Sequence, residues 1–212
     1  MNPKWSLLNM LGMLAFVVFT ISTLTSVALY PTPYSPLYEW LSNLGNVNLN
    51  PLGAVFFNWG CIITAIILIP FFAGLYRWNP IQKWATVLLM LGILLGLFAS
   101  ISLIGVGIFP ETNIHMHTLA ASGVFGSLFI IIILLSIALF KHEKFMSIVA
   151  YWGIIAVLIT LSFQIILMLP QFSDVLGNFH PTSPVPGMEW AAVFASLIWV
   201  GLLSYNMWKN DI

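Results

Sequence analysis

The sequence predicts an all-α, polytopic membrane protein built as a bundle of six transmembrane helices, and three observations support this. Hydrophobic residues make up 60 % of the 212 residues and charged residues only 6 %, whereas soluble domains average about 25 % charged residues. Six apolar stretches are each long enough to cross a bilayer as a helix, and none contains Asp, Glu, Lys, Arg or His. We expect one domain over residues 1–212, with spans at 7–29, 52–75, 84–108, 118–140, 145–169 and 190–208.

All Lys and Arg side chains fall on one side of the predicted bundle. Because cytoplasmic loops of membrane proteins are enriched in these residues, we expect both termini and the two short loops at 76–83 and 141–144 to be cytoplasmic. A formal net charge of zero, without a further basic cluster, argues against nucleic acid as a partner. Membrane lipid is the expected partner. The cations are Lys4, Arg77, Lys83, Lys141, Lys144 and Lys209.

The first outer loop contains the signals of a short helix over residues 36–44. Ser35 is a suitable N-cap, Pro36 suits the first helical position and Gly45 suits the end. Such a helix would have one apolar stripe and lie at the membrane interface, as a rim that faces lipid headgroups or as an amphipathic connector. The stripe consists of Leu37, Trp40, Leu41 and Leu44.

Polar side chains within the spans are concentrated in the halves that face outward. Asn58 and Gln164 each lie about 9 Å below the outer end of their span, whereas the inner halves are almost entirely apolar. This distribution predicts a pocket that is open outward and closed inward, with Asn58 and Gln164 as ligand-binding residues. Alternatively, these polar groups form hydrogen bonds between helices and bind nothing.

A ridge of small residues on the third span permits another helix to approach closely. Gly92, Gly96 and Ser100 recur at four-residue spacing, the pattern seen where membrane helices pack tightly. The ridge predicts close packing and a contact between copies in a homo-oligomer.

The segment GVGIFPETNIHMHTLAA holds the densest group of reactive side chains. If Pro110 begins the fourth helix, Glu111 lies in its first turn and shares a face with His115. In a helix His117 points elsewhere, whereas in an extended segment it would align with His115. His180 and Glu189, from the last outer loop, would complete the set.

Two kinds of chemistry suit this group. Zinc would accept Glu111, His115, His117 and His180 as ligands, and three protein ligands with a water form a hydrolytic centre. Without a metal, Glu111 would orient His115 as a general base that acts on Ser42 or on a lipid hydroxyl. The sequence contains neither an HExxH motif nor paired cysteines.

The segments YPTPYSPLYEWLSNLGNVNLNPLGAVFFNWG and GIFPETNIHMHTLAA resemble the family called domain of unknown function 998, whose members are six-helix membrane proteins. The similarity covers most of the chain. The family usually has an aspartate where this chain has Asn43. The matching positions are Ser42, Leu44 and Gly45, then Asn50, Pro51, Phe56 or Phe57, and Asn58, then Phe109, Pro110, Glu111 and His115 or His117.

The pattern is more distantly similar to the eukaryotic Frag1, DRAM and Sfk1 group, which is linked to membrane lipid organisation. This similarity implies a role that faces lipid. It supplies no mechanism, because one fold hosts many activities.

Together these observations predict a multi-pass protein of a prokaryotic cytoplasmic membrane whose outward pocket binds, and in one version processes, a lipid or lipid-linked headgroup. The rim would contain Ser42, Asn58, Glu111 and the three outer histidines. One alternative is a non-enzymatic scaffold that organises lipid, in which the same residues form a structural network. A second alternative is a small-molecule transporter, which would require an inner opening.

Overall fold

A computed structural model describes residues 7–169 and 185–212. The described residues contain six long helices and no strand, which confirms the predicted all-α bundle. Each helix is long and apolar enough to cross a membrane, so the chain is a multi-pass membrane protein. The helices are α1 (Leu11–Ala28), α2 (Ala54–Gly74), α3 (Lys83–Ile108), α4 (Ile114–Leu139), α5 (Ser147–Met168) and α6 (Val185–Lys209).

The helices form a ring in chain order. Each of α1 to α5 packs on the helix that follows it, and α6 returns to pack on α1. Across the ring, α4 and α6 make only a small contact. The centre of the ring can therefore hold space between the helices.

Two helices begin earlier than the sequence predicted, and this changes the setting of two polar residues. Helix α4 begins at Ile114 because the side chain of Asn113 caps it, accepting a hydrogen bond from the Met116 amide. Helix α6 is described from Val185, with Pro186 in its first turn, where a proline is tolerated. His117 and Glu189 consequently lie inside helices rather than in loops.

The first outer loop contains a short helix, but not over the predicted range 36–44. Ser35 begins a turn, in which its carbonyl accepts from the Tyr38 and Glu39 amides. Trp40 then adopts an extended conformation, and a 3-10 helix follows at Leu41–Gly45. Of the predicted apolar stripe, Trp40, Leu41 and Leu44 are buried whereas Leu37 is 64 % exposed.

The small-residue ridge on α3 lies inside the bundle, not on its outer surface. The position of a Cβ on Gly92 would be filled by Leu135 of α4, and that on Gly96 by the ring of Phe72 in α2. Ser100 is buried and donates to the Gly96 carbonyl at 2.8 Å. The ridge therefore packs the chain's own helices, and the contact between copies stays a prediction.

Five of the six cations gather at one end of the bundle, which we call the cationic end, and Lys4 lies outside the described residues. Polar side chains close this end. Arg77 donates to Oδ1 of Asn9 at 2.7 Å. Asn206 accepts from the Met146 amide at 2.7 Å and donates to the Lys144 carbonyl at 2.8 Å. The first outer loop and the start of α4 lie at the opposite end.

Candidate functional site

An apolar cavity lies inside the helix ring. On α2 its lining runs from Phe57 to Phe72, about 22 Å at the rise of an α-helix. On α6 it runs from Glu189 to Val200, about 16 Å. The rest of the lining is also mostly aliphatic and aromatic. It includes Phe19, Leu41, Cys61, Leu68, Ala99, Leu103 and Val106.

A second cavity, which we call the polar chamber, lies at the end away from the cations. Carboxylates, amides, hydroxyls and an imidazole line it together with aromatic rings. Its lining comprises Trp40, Ser42, Asn43, Asn46, Glu111, Ile114, His117, Thr118, Phe125, Phe163, Leu167 and Glu189. Ser42, His117, Phe125 and Glu189 also line the apolar cavity, so the two spaces meet at these four residues.

His117 and Glu189 are the first residues of two rows of cavity-lining side chains, one on α4 and one on α6, and the two rows have the same spacing. On α4 the apolar cavity is lined by residues 117, 121, 124, 125 and 128, and on α6 by residues 189, 193, 196, 197 and 200. Both sets follow the spacing i, i+4, i+7, i+8 and i+11, which places their members on one helix face. Each row therefore begins with a polar side chain at the chamber and continues below it with side chains that are apolar, except for Ser196.

Ser42 and Glu111 connect two outer segments across the chamber. The Ser42 hydroxyl, on the 3-10 helix, donates to Oε1 of Glu111 at 2.6 Å. Glu111 begins a short 3-10 turn, Glu111–Asn113, that precedes α4. This hydrogen bond joins the first outer loop to the connection between α3 and α4.

Glu189 fastens the same loop to α6. Its side chain is only 7 % exposed, and Oε2 accepts from the Leu41 amide at 2.7 Å. The Ser42 backbone also interacts with this carboxylate. The first amides of the 3-10 helix have no carbonyl acceptor within that helix. The Glu189 carboxylate of α6 supplies an acceptor for them instead.

His117 presents one ring nitrogen to the cavities. The side chain is 7 % exposed, and Nδ1 lies 2.9 Å from the carbonyl oxygen of Phe109. A carbonyl can only accept, so Nδ1 carries the hydrogen and, in the neutral ring, Nε2 is an acceptor. Within the described part of the chain, His117 makes no hydrogen bond through Nε2.

Asparagines hold the loop that carries Ser42. Asn50 donates to Oγ of Ser26 at 2.9 Å and to the Leu44 carbonyl at 3.1 Å. Asn58 donates to the Gly45 carbonyl at 3.0 Å. A Cβ on Gly45 would collide with Oδ1 of Asn58, so the close approach of this side chain requires glycine there.

A family model described as "Protein of unknown function (DUF998)" matches residues 13–206. The chain belongs to the DUF998 family. No curated protein and no solved structure matches it. In this DUF998 protein Ser42 and Glu111, which carried the resemblance, line the polar chamber, whereas Gly45, Asn50 and Asn58 support the loop beside it.

The structure brings together only part of the residue set that the sequence predicted for the DUF998 site. Ser42, Glu111 and His117 meet at the chamber. His115 is exposed and, like Gln164 and Asn58, lines neither cavity. His180 lies outside the described residues. The geometry thus assigns to His117 the position that the sequence assigned to His115.

The predicted zinc ligands are not gathered within the described residues of the DUF998 protein. Over residues 7–169 and 185–212, no group of three or more His, Cys, Asp or Glu side chains is placed to hold a metal ion. His115 projects away from the chamber that Glu111 and His117 line. The geometry therefore gives no support to a route through zinc.

Several chamber residues were missing from the predicted site. Glu189 was expected only as an accessory from a loop, because the last span was predicted to begin at residue 190. A proline near the start of a helix is a common signal, and Pro186 would have moved that start upstream. No sequence pattern marks Asn43, Asn46 and Thr118 as site residues, because single polar side chains are common wherever a helix meets the membrane interface. The 3-10 helix and α4 bring them to the chamber.

Proposed function

We propose that this DUF998 protein binds one lipid molecule, with an acyl chain in the apolar cavity and the headgroup in the polar chamber. The observation that carries the proposal is the junction of the two cavities at Ser42, His117, Phe125 and Glu189. A lipid is an amphiphile with the same arrangement, an apolar chain joined to a polar group. Ligand sites are commonly apolar clefts with a few placed polar groups.

The depth of the apolar cavity supports an acyl chain. The hydrocarbon core of a bilayer is about 30 Å thick, so one leaflet accounts for about 15 Å. The lining covers about 16 Å along α6 and about 22 Å along α2. The lining is therefore as long as an acyl chain that spans one leaflet.

The packing beyond the cavity favours binding over passage through the protein. The lining ends near Phe72 and Val200. Toward the cationic end, Leu75, Leu203 and Met207 are fully buried, and Trp78 is 1 % exposed. These side chains fill the space that a transport path would need.

The polar groups support recognition more directly than hydrolysis. The Ser42 hydroxyl donates to Glu111, and the hydrogen bond of His117 goes to the Phe109 carbonyl. A serine nucleophile needs a base that takes its proton and a further group that orients that base. The described residues supply Glu111 as the one partner of the hydroxyl, without an imidazole between them.

We also propose that the protein resides in a prokaryotic cytoplasmic membrane with both termini in the cytoplasm. The gathering of Arg77, Lys83, Lys141, Lys144 and Lys209 at one end supports this orientation. The polar chamber would then face outward. Fusions of a reporter active only in the cytoplasm, placed after residue 212 and in the 141–144 loop, should both be active. A reporter inserted after Asn48 should be silent.

The binding proposal is tested by counting lipids that remain on protein purified in mild detergent, by native mass spectrometry. Wild type should retain one lipid. Ala121→Trp places a large side chain into the apolar cavity and should remove that lipid. Leu119→Trp, at a position 67 % exposed on the same helix, is the matched control and should keep it. Equal retention by both variants would place the lipid elsewhere.

A further inference from the structure

We propose that the headgroup held in the polar chamber carries a protonated amine, so the protein selects lipids with an ammonium group over anionic lipids. This inference rests on the lipid-binding function proposed above. It follows from the charges around the chamber, from one unpartnered acceptor and from the aromatic lining.

Among the described residues, the chamber is lined by carboxylates and by no Lys or Arg that could pair with an anion. Glu111 and Glu189 line it, and among the described residues no Lys or Arg lines either cavity. The segments predicted to face outward also lack Lys and Arg in the sequence. These segments are residues 29–53, 109–113 and 170–184. A buried charge without a partner is costly. An additional negative headgroup charge would therefore be disfavoured, and an ammonium would be favoured.

An acceptor in the chamber points to the same chemistry independently of the acids. Nε2 of His117 lies on a side chain that is more than nine-tenths buried, and the neutral ring presents it as an acceptor. Nothing in the described chain donates to it. One carboxylate oxygen of Glu111 accepts the hydrogen bond from the Ser42 hydroxyl, while the other oxygen makes no hydrogen bond within the described residues. A ligand that brings several N–H donors would satisfy these acceptors, and a primary ammonium brings three.

The aromatic lining suits a cation as well. Trp40, Phe125 and Phe163 line the chamber, and the rings of the two phenylalanines meet edge to face at 5.0 Å. The faces of aromatic rings attract cations, most strongly when water is excluded. Phe125 also lines the apolar cavity, so an ammonium near it would lie at the junction with the acyl chain.

The experiment compares two lipids that differ only in the group esterified to the phosphate, which is ethanolamine in one and glycerol in the other. Wild-type protein, stripped of lipid in detergent, receives an equimolar mixture of phosphatidylethanolamine and phosphatidylglycerol with identical acyl chains, and native mass spectrometry gives the ratio bound. Both lipids contain the phosphate, so the ratio compares an ammonium with an uncharged diol. Soluble ethanolamine, added as a competitor, shows whether the headgroup binds without its chain.

We expect wild type to favour phosphatidylethanolamine about tenfold, because hydrogen bonds to charged groups contribute at that level. Glu111→Gln should bring the ratio near one while lipid is still bound, and Glu111→Asp should retain a preference. Glu143→Gln, at an exposed acid of the cationic end, should match wild type. Ethanolamine alone should compete weakly.

Three results would overturn one or both proposals, and they are distinguishable. If lipid binds without a preference, or with a preference unchanged in Glu111→Gln, the ammonium assignment is wrong and lipid binding stands. If neither lipid binds to wild type while ethanolamine does, the chamber takes a free amine and the lipid proposal is wrong. If nothing binds, both proposals are wrong.

Discussion

The Ser42 hydroxyl and the Glu111 carboxylate form a 2.6 Å hydrogen bond between residues 69 positions apart in the chain. The bond connects a 3-10 helix of the first outer loop to the turn before α4. Both partners line the polar chamber. Its loss should therefore affect both the stability of the protein and the shape of the site.

Ser42→Ala should lower the free energy of unfolding by about 1.5–3 kcal/mol, because it removes a hydrogen bond to a carboxylate. The midpoint of thermal unfolding in detergent measures the effect. Ser122→Ala, at an exposed position of α4, is the control and should cause little change. Equal shifts for the two variants would show that the bond contributes nothing.

Gly45→Ala should destabilise the first outer loop by about 1–3 kcal/mol, because the new methyl group would meet the Asn58 side chain. Gly126→Ala is the matched control. A Cβ there meets nothing within 4 Å, and alanine is the better helix former, so that variant should equal or exceed wild type in stability. Thermal unfolding separates the two, and a neutral Gly45→Ala would contradict the packing described.

Asn206→Ala should destabilise the cationic end by about 2–4 kcal/mol, because two hydrogen bonds to the backbone of the turn between α4 and α5 are lost. Asn210→Ala should cost less, since its bond to the Lys144 carbonyl is longer, at 3.3 Å, and exposed. The two variants should bind lipid like wild type. A loss of lipid in Asn206→Ala at a temperature where it remains folded would contradict a purely structural role.

Stability should decline at high pH in part through Tyr34. Burial raises the pKa of the Tyr34 phenol above its ordinary value, and the hydroxyl donates to the Trp40 carbonyl at 2.7 Å. Above a pH of about 10 the unfolded chain loses this proton while the folded protein keeps it, so stability falls as the pH rises. Below that pH the contribution is complete.

Tyr34→Phe should therefore make the decline of the unfolding midpoint above a pH of about 10 shallower than in wild type. The variant loses a hydrogen bond and should be less stable at neutral pH, so the slopes are compared rather than the midpoints. Identical slopes would contradict the protonation difference.

Much of the fold follows from the sequence, because hydropathy and length determine the spans directly. The order of packing around the ring does not follow, since lipid-facing and ring-facing sides of these helices are almost equally apolar. Gly92 and Gly96 illustrate this: their spacing predicts a close contact, but only the assembled ring shows that Leu135 and Phe72 make it.

The candidate site was partly predictable for a similar reason. The spacing of His117 to Ala121 and Val124 is that of one helix face, and it would have separated His117 from His115 if the start of α4 had been known. The role of Glu189 depends on a contact with the Leu41 amide, 148 residues earlier. No local pattern encodes such a contact, so the sequence could identify the acid but not its partner.

The most direct test of lipid binding is photo-cross-linking with a lipid that carries a diazirine near the end of one acyl chain, followed by mapping of the labelled residues. A chain inside the ring should label cavity residues such as Leu68, Phe72 and Val200. Ala121→Trp should abolish these labels, and Leu119→Trp should preserve them. Labels confined to residues of the outer surface such as Leu158, in wild type as in both variants, would show that the cavity holds no lipid.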